Sequence, residues 1–343
     1  MRIVRRRAPF FGALVILLIC AVIAGISVGS VHIPLVDILH ILASSIPGSR
    51  ILPLEYTASD RLIILDIRVP VVLMAMLTGI ALSSSGASMQ GLFRNPLVDP
   101  FIIGISAGGA FGWIAASILT REISGIHIDL FRIAVSFLFG MGTVITAYLV
   151  ARSGSRVPVA NLLLAGIALS ALLTSATYLL IYFFIDNPSE MIFSLMGTCG
   201  NSTWEELYMV VPIVLMGTVV LLVFSRDLNA FSTGEDGAKH LGVEVERSKL
   251  IILGAGSLVT AVTIPFCGVI GFVGLIVPHI MRRIIGPDHR FLVPASALAG
   301  GIFVILSDLF SRAALDVIIP IGIVTGLIGG GFFIYILIAG RRD

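Results

Sequence analysis

Charge is what this chain has least of. Of its 343 residues only 12% are Asp, Glu, Lys or Arg, where a soluble domain carries roughly 25%. Hydrophobic residues make up 57%, and the mean hydropathy is +1.07. A soluble protein of this composition would lack the polar surface needed to cover its core. Lysine is rarer still: only Lys239 and Lys249 occur, both in one short polar segment. Neither follows a Gly, so there is no phosphate-binding Gly-Lys-Ser/Thr loop and no ATP site of that type. The zinc-protease His-Glu-x-x-His and the Gly-x-Ser-x-Gly elbow are also missing, and with them any catalytic constellation. A net charge of +2, with no basic patch interleaved with aromatics, excludes nucleic acid as a partner. The three cysteines, Cys20, Cys199 and Cys267, lie far apart and not in Cys-x-x-Cys spacing. Neither metal nor disulfide chemistry is expected from them, and apolar packing accounts for Cys20 and Cys267. His279, after Pro278, reads as a local hydrogen-bonding residue rather than a metal ligand.

What is present is a series of long apolar runs. A membrane-crossing helix needs roughly 20 mostly apolar residues, which places spans near 10–29, 69–90, 101–119, 132–151, 159–185, 207–225, 248–264, 267–285, 292–315 and 319–340. The chain is therefore expected to be an all-α polytopic membrane protein of about ten spans, forming one domain over 1–343. The first run follows Arg5, Arg6 and Arg7 and resembles a signal peptide. Its length and the lack of a small-residue cleavage site make it the first span instead. Only Pro265 to Gly268 separate the seventh and eighth spans, which could equally be one broken helix. Of the basic residues, this map puts only Arg50, Arg61, Arg68, Arg121, Arg132 and Arg312 on the outer side; the positive-inside rule then places both termini in the cytoplasm. The outer segments 30–68 and 186–206 mix apolar and polar residues and suit short surface helices, with Trp204 as an interfacial aromatic.

Glycine is abundant, at 36 residues. Gly104, Gly108 and Gly112 form a double GxxxG; Gly79, Gly86 and Gly91 mark a second helix, and Gly326, Gly329, Gly330 and Gly331 the last. Small residues let helix backbones approach in lipid, where no hydrophobic force drives association. Ionisable residues are almost absent from the middles of the spans, whereas proton- or ion-coupled secondary transporters usually carry them there. Asp308 and Arg312, four apart and near an outer helix end, can pair on one face.

Residues 226–249 form the longest polar stretch. Ser232-Thr233-Gly234-Glu235-Asp236 supplies a helix start with early acidic residues, and Gly242 can end the short helix. Leu241 is its apolar anchor. The segment reads either as a solvated loop or as a docking knob for a soluble partner.

The pattern Gly234-Glu235-x-x-Ala238-x-x-Leu241-Gly242 resembles the coupling-helix region of the FecCD-type permeases, the membrane subunits of binding-protein-dependent ABC importers for iron chelates, haem and vitamin B12. Further stretches match in the same order: Arg68-Val69-Pro70, the run from Gly86 to Pro100 containing Gln90-Gly91-Leu92-Phe93-Arg94-Asn95-Pro96-Leu97-Val98-Asp99, Gly104 to Gly108, Leu162 to Gly166, Gly271 to His279, Asp288-His289-Arg290, and Pro320 to Thr325. The resemblance implies a permease in the cytoplasmic (inner) membrane lipid bilayer. Its partners would be a second permease copy in a homodimer, a cytoplasmic ATP-binding subunit and an external substrate-binding protein. It implies no cofactor on this chain, ATP-Mg belonging to the ATPase, and no enzymatic activity of its own. The cargo would be an iron chelate (siderophore or haem), with cobalamin as the alternative; a secondary transporter or a membrane-embedded enzyme are readings of another class.

The same resemblance carries over residue roles. Gly234, Glu235, Asp236, Ala238, Lys239, His240, Leu241 and Gly242 would couple to the ATPase. Arg68 and Arg312 would receive acidic residues of the binding protein, a task that suits the bidentate guanidinium fork. The chain departs from the B12 permeases at Val71, where they place a second arginine; Arg61 would substitute for it. Val159, Ala160 and Asn161 would form the cytoplasmic gate, here apolar enough to exclude water by dewetting.

Overall fold

The computed structural model describes residues 2–29, 31–45, 56–121, 126–154, 156–186, 188–314, 317 and 319–339. They are almost entirely helical, and the only extended pairing among them is an isolated bridge between Ser153 and Arg156. In chain order the helices are α1 (Arg2–Ser27), α2 (Leu35–Ser44), α3 (Ala58–Leu62), α4 (Val69–Leu92), α5 (Ile105–Leu119), α6 (Ile126–Ala151), α7 (Val159–Phe184) and α8 (Pro188–Leu195). There follow α9 (Trp204–Val223), α10 (Ser225–Phe231), α11 (Glu235–His240), α12 (Val245–Ala261), α13 (Ile264–Cys267), α14 (Val273–Ile285), α15 (His289–Ala313) and α16 (Ile321–Ala339). A π-helical stretch, Ile63–Arg68, joins α3 to α4.

Local chemistry sets several starts. Thr57 with Asp60 and Thr203 with Glu206 each form a reciprocal capping box, opening α3 and α9. Asp288 accepts the backbone N–H of Arg290 and caps α15. The expected surface helices in 30–68 and 186–206 are α2, α3 and α8. Trp204 does more than mark an interface, since its indole N–H donates to Leu65 O at 2.8 Å.

The fold is built around α4. Its sequence is apolar or small on every face, the signature of a helix enclosed by others, and nearly all its residues are buried. It packs against α9, α12, α14 and α15. Gly79 lies directly on the backbone of Gly300 and Gly301, and Gly86 on that of Gly274. A Cβ at either glycine would fall inside contact distance of those backbones. The double GxxxG works the same way on a smaller scale: Gly108 and Gly112 receive Thr143, Phe139 and Val135 of α6. In the last helix Gly329 packs on Phe272, whereas a Cβ at Gly326, Gly330 or Gly331 would meet nothing within 4 Å among the described residues.

Among the described residues, seven helices are long and apolar enough to cross a membrane. Each of the ten expected spans coincides with a helix, but α5 has 15 residues and α14 only 13, short of the roughly 20 a full crossing needs. The ambiguous region 248–285 is two helices. The chain leaves α12, makes the single turn of α13, and α14 begins only where Gly274 meets Gly86 on α4. α1 is part of the bundle, with Leu14, Ala21 and Ile26 buried against it.

Two expectations about cysteine are corrected. Cys199 and Cys267, separated by 68 residues, form a disulfide. The loop after α8 folds in against α13, where Thr198 N donates to Cys267 O at 2.9 Å and Gly197 packs on Val269. That contact is tertiary and leaves no trace in cysteine spacing. Cys20 is exposed on α1 rather than packed. The expected basic outer residue Arg50 and the terminal Arg341 and Arg342 lie outside the described residues.

The helix packing yields a direct test. Gly86→Val should overpack the α4–α14 crossing at a cost of about 1–3 kcal/mol or more, read as a lower melting temperature of the purified protein. Gly330→Ala, where the chain has open space, should melt as the parent does.

Candidate functional site

The polar segment 226–249 folds into a braced unit at one end of the bundle. α10 buries Leu228 and Phe231 against the core. The Ser232 and Thr233 hydroxyls do not open α11, as expected from the sequence; they bond back to Asn229 O and Ala230 O and close α10. The chain then reverses at Gly234 (φ +94°), a conformation that favours glycine. The six residues Glu235–His240 form α11, and Leu241 and Gly242 (φ +86°) end it.

The anchor of α11 is also not the one expected. Ala238 is fully buried, whereas Leu241 is 66% exposed. Its small Cβ lets the short helix lie close against the body, with Val243 N donating back to Ala238 O. The outward surface consists of Asp236, Lys239, His240 and Leu241. Asp236 and Lys239 approach only to 4.0 Å in solvent and add little stability. Glu235 instead turns inward.

Glu235 turns toward the residue that sequence reasoning missed. Lys249, on α12, has a side chain only 7% exposed. Its ammonium lies 2.8 Å from Glu235 and 3.2 Å from Glu246, and donates to Val157 O at 3.3 Å. One buried cation thus ties α11, α12 and the α6–α7 loop together. A buried ammonium is stable only when paired and hydrogen-bonded, and here all three of its donors are used. The signal available in the sequence was the scarcity of lysine itself.

The expected gate lies immediately beyond that tie. Pro158 precedes α7, and Val159, Ala160 and Asn161 are its first residues. Val159 is half-buried, while Ala160 and Asn161 are exposed. Higher on α7, Ser170, Thr174 and Thr177 border a cavity of about 640 Å³ shared with Ser106 of α5, Asp99 and Phe272. Asp99 accepts the N–H of Phe101 at 2.9 Å and that of Phe272, which holds Phe272 at a left-handed φ of +68°. The cavity wall is mostly apolar, with a few hydroxyl side chains and the carboxylate of Asp99, and among the described residues it contains no Lys or Arg.

The expected docking arginines lie at the opposite end, and two of them face inward. Arg68 is 5% exposed and donates to Ile26 O at 2.9 Å, to Ser27 O at 3.2 Å and to Val31 O. Arg312 grips Asp308 through two donors at 3.0 and 2.7 Å, as its spacing suggested, and also reaches Val28 O and Gly25 O. Both guanidiniums satisfy the carbonyls left open where α1 ends, so Arg68 presents no free surface. Arg61 is exposed and makes no ion pair among the described residues. His279 packs its ring edge-on against Phe332 and Phe333 rather than hydrogen bonding as expected. Among the described residues no cluster could hold a metal.

Residues 16–339 match the FecCD transport family. The chain is 40% identical over 291 residues to the cobalamin import system permease protein BtuC of Halobacterium salinarum, covering 83% of this chain and 76% of that protein. It is 36% identical over 282 residues to the hemin transport system permease protein HmuU of Yersinia pestis, covering 81% and 84%. A solved structure described as an inward-facing conformation of a metal-chelate type ABC transporter superposes with a TM-score of 0.82 at 30% identity, covering 95% of this chain and 97% of that one.

The Lys249 tie can be tested without any partner. Lys249→Ala should cost about 1.5–3 kcal/mol, the value of hydrogen bonds to a charged group, and should release α11. Limited proteolysis should then cut within 234–242 faster than in the parent, while a Lys239→Ala control should be cut at the parent rate.

Proposed function

The chain belongs to the FecCD transport family and is the membrane permease subunit of an ABC importer, not an enzyme; from that premise we propose that it carries an iron chelate, a siderophore or haem, across the cytoplasmic membrane. In this reading it forms a single domain, pairs with a second copy of itself, and takes cargo from an external binding protein. A separate cytoplasmic ATPase subunit holds ATP-Mg, and this chain needs no cofactor.

The observation that carries the reading is the braced position of α11. Its exposed face, Asp236, Lys239, His240 and Leu241, is the surface offered to the ATPase. Gly234 and Gly242 set its turns, Ala238 seats it and Glu235 locks it to Lys249. A push on α11 is then passed through Lys249 to Val157 O, two residues before Val159. Val159, Ala160 and Asn161 act as the gate, and an apolar constriction there closes by dewetting.

Cargo chemistry rests on the cavity beside α7. A mostly apolar wall dotted with Ser106, Ser170, Thr174 and Thr177 suits a bulky chelate with a largely apolar outer surface. Cobalamin, the cargo named for the Halobacterium relative, fits the same description and is the alternative. Docking of the binding protein is assigned first to Arg61. Arg312 contributes its remaining exposed edge, and Arg68 shapes the surface by holding the end of α1.

Reconstitution of the complete importer in proteoliposomes tests the assignment. Leu241→Pro should abolish ATP-driven uptake while the partner continues to hydrolyse ATP; uptake at the parent rate would refute the coupling role. Arg61→Glu should weaken capture of the binding protein by about tenfold, as removal of a charge-assisted contact does. Uptake of labelled ferric siderophore, haem and cobalamin compared in the same vesicles decides the cargo; transport of cobalamin alone would overturn the iron assignment.

A further inference from the structure

A second cavity, of about 570 Å³, lies at the same end of the bundle as α11 and plays no part in the coupling described above. It is an open cleft bordered by the end of α4, by α10 and by the junction of α14 and α15. This is within the usual size range of ligand pockets, about 300–1,000 Å³. Two guanidinium-bearing residues line it, Arg94 and Arg282. Neither makes an ion pair or side-chain hydrogen bond among the described residues. Arg282 is half-buried, and Arg94 extends toward Gly234, the turn that opens α11.

The only carboxylate in the wall is already committed. Asp288 is gripped by Arg290 through donors at 3.0 and 2.7 Å and takes a third hydrogen bond from Asn229 at 2.8 Å. The Arg290 hydrogen bond holds that carboxyl well below the usual carboxylate range, so it stays ionised and paired with Arg290. The two cavity arginines are therefore uncompensated. His289, 6% exposed, donates from Nδ1 to Asn229 Oδ1 at 2.9 Å, which leaves its Nε2 an acceptor packed on Gly91 and no part of the anion site.

Two unpaired guanidiniums around one cleft, with the local carboxylate paired to Arg290, form an anion receptor whose fork geometry suits phosphate oxygens. We propose that this cavity binds a phosphate-bearing anion through Arg94 and Arg282. The same chemistry is offered by free phosphate and by the headgroup of an anionic phospholipid, for which basic pockets between helices are a recognised kind of site. With Arg94 reaching the Gly234 turn, an occupied cavity would stiffen the base of α11.

The test uses the full chain in nanodiscs of phosphatidylcholine. Inorganic phosphate is titrated against chloride at matched ionic strength, and in a second arm phosphatidylglycerol replaces part of the phosphatidylcholine. Melting temperature is read in both arms, and lipid retention by native mass spectrometry in the second. A phosphate-dependent rise in melting temperature identifies a soluble anion; a rise and retained lipid only with phosphatidylglycerol identify the headgroup. In either case Arg94→Gln and Arg282→Gln should weaken the apparent affinity by about tenfold each, the scale of a lost charge-assisted pair, and Arg283→Gln, outside the cavity, should not. Arg94 is exposed, so its variant remains informative if Arg282→Gln does not fold. No response in either arm would overturn the proposal. So would an equal response to chloride, or an equal loss in Arg283→Gln. Binding is read without transport, so its outcome is independent of the cargo assignment.

Discussion

Close backbone contact along α4 is the constraint on which the rest of this structure depends. Lipid tails are as apolar as the side chains they would replace, so helices in a bilayer gain little by hiding leucine from one another. They gain by dispersion contacts and polar contacts at short range. Gly79 against Gly300 and Gly86 against Gly274 bring three helices to backbone distance. Ser85 then reaches Gly256 O of α12 at 2.9 Å, and Gln90 reaches Gly274 O at 3.3 Å. With α4 enclosed, the cavities lie around it rather than through it.

Lys249 is where the peripheral α11 meets the body of the bundle. α11 is too short to hold itself as a helix in water; Ala238 and the Glu235–Lys249 contact hold it in place. Because the same ammonium donates to Val157 O, α11 cannot shift without loading the loop that leads into α7. The connection between α11 and Val159 is thus a single buried cation plus two residues of chain.

The arginines at the other end illustrate how burial redirects a residue. Arg68 and Arg312 belong to motifs that a resemblance assigns to partner binding, yet their donors are taken by carbonyls at and just beyond the end of α1 and, for Arg312, by Asp308. Arg68 is the last residue of the π-helical stretch Ile63–Arg68, whose extra residue per turn rotates its side chain relative to a regular α-helix. No alternation or spacing in the sequence encodes that rotation. The disulfide is similar: Cys199 and Cys267 meet because the loop after α8 and the break at α13 are both folded beneath the start of α16, where Ile321 N donates to Gly197 O.

The sequence by itself determined that this is a helical membrane protein, where its helices run, that it lacks its own ATP-binding loop, and which polar segment projects from it. Those properties follow from composition and from local chain chemistry, and nearby residues suffice to express them. Tertiary structure alone decided which residues bear the load. It made Ala238 rather than Leu241 the anchor, brought Lys249 to Val157, paired the cysteines, turned Arg68 inward and left Arg94 and Arg282 lining one cavity whose acid, Asp288, is paired with Arg290. Each of these joins positions distant in the chain, and what a charge or thiol does there is set by the neighbours that packing supplies.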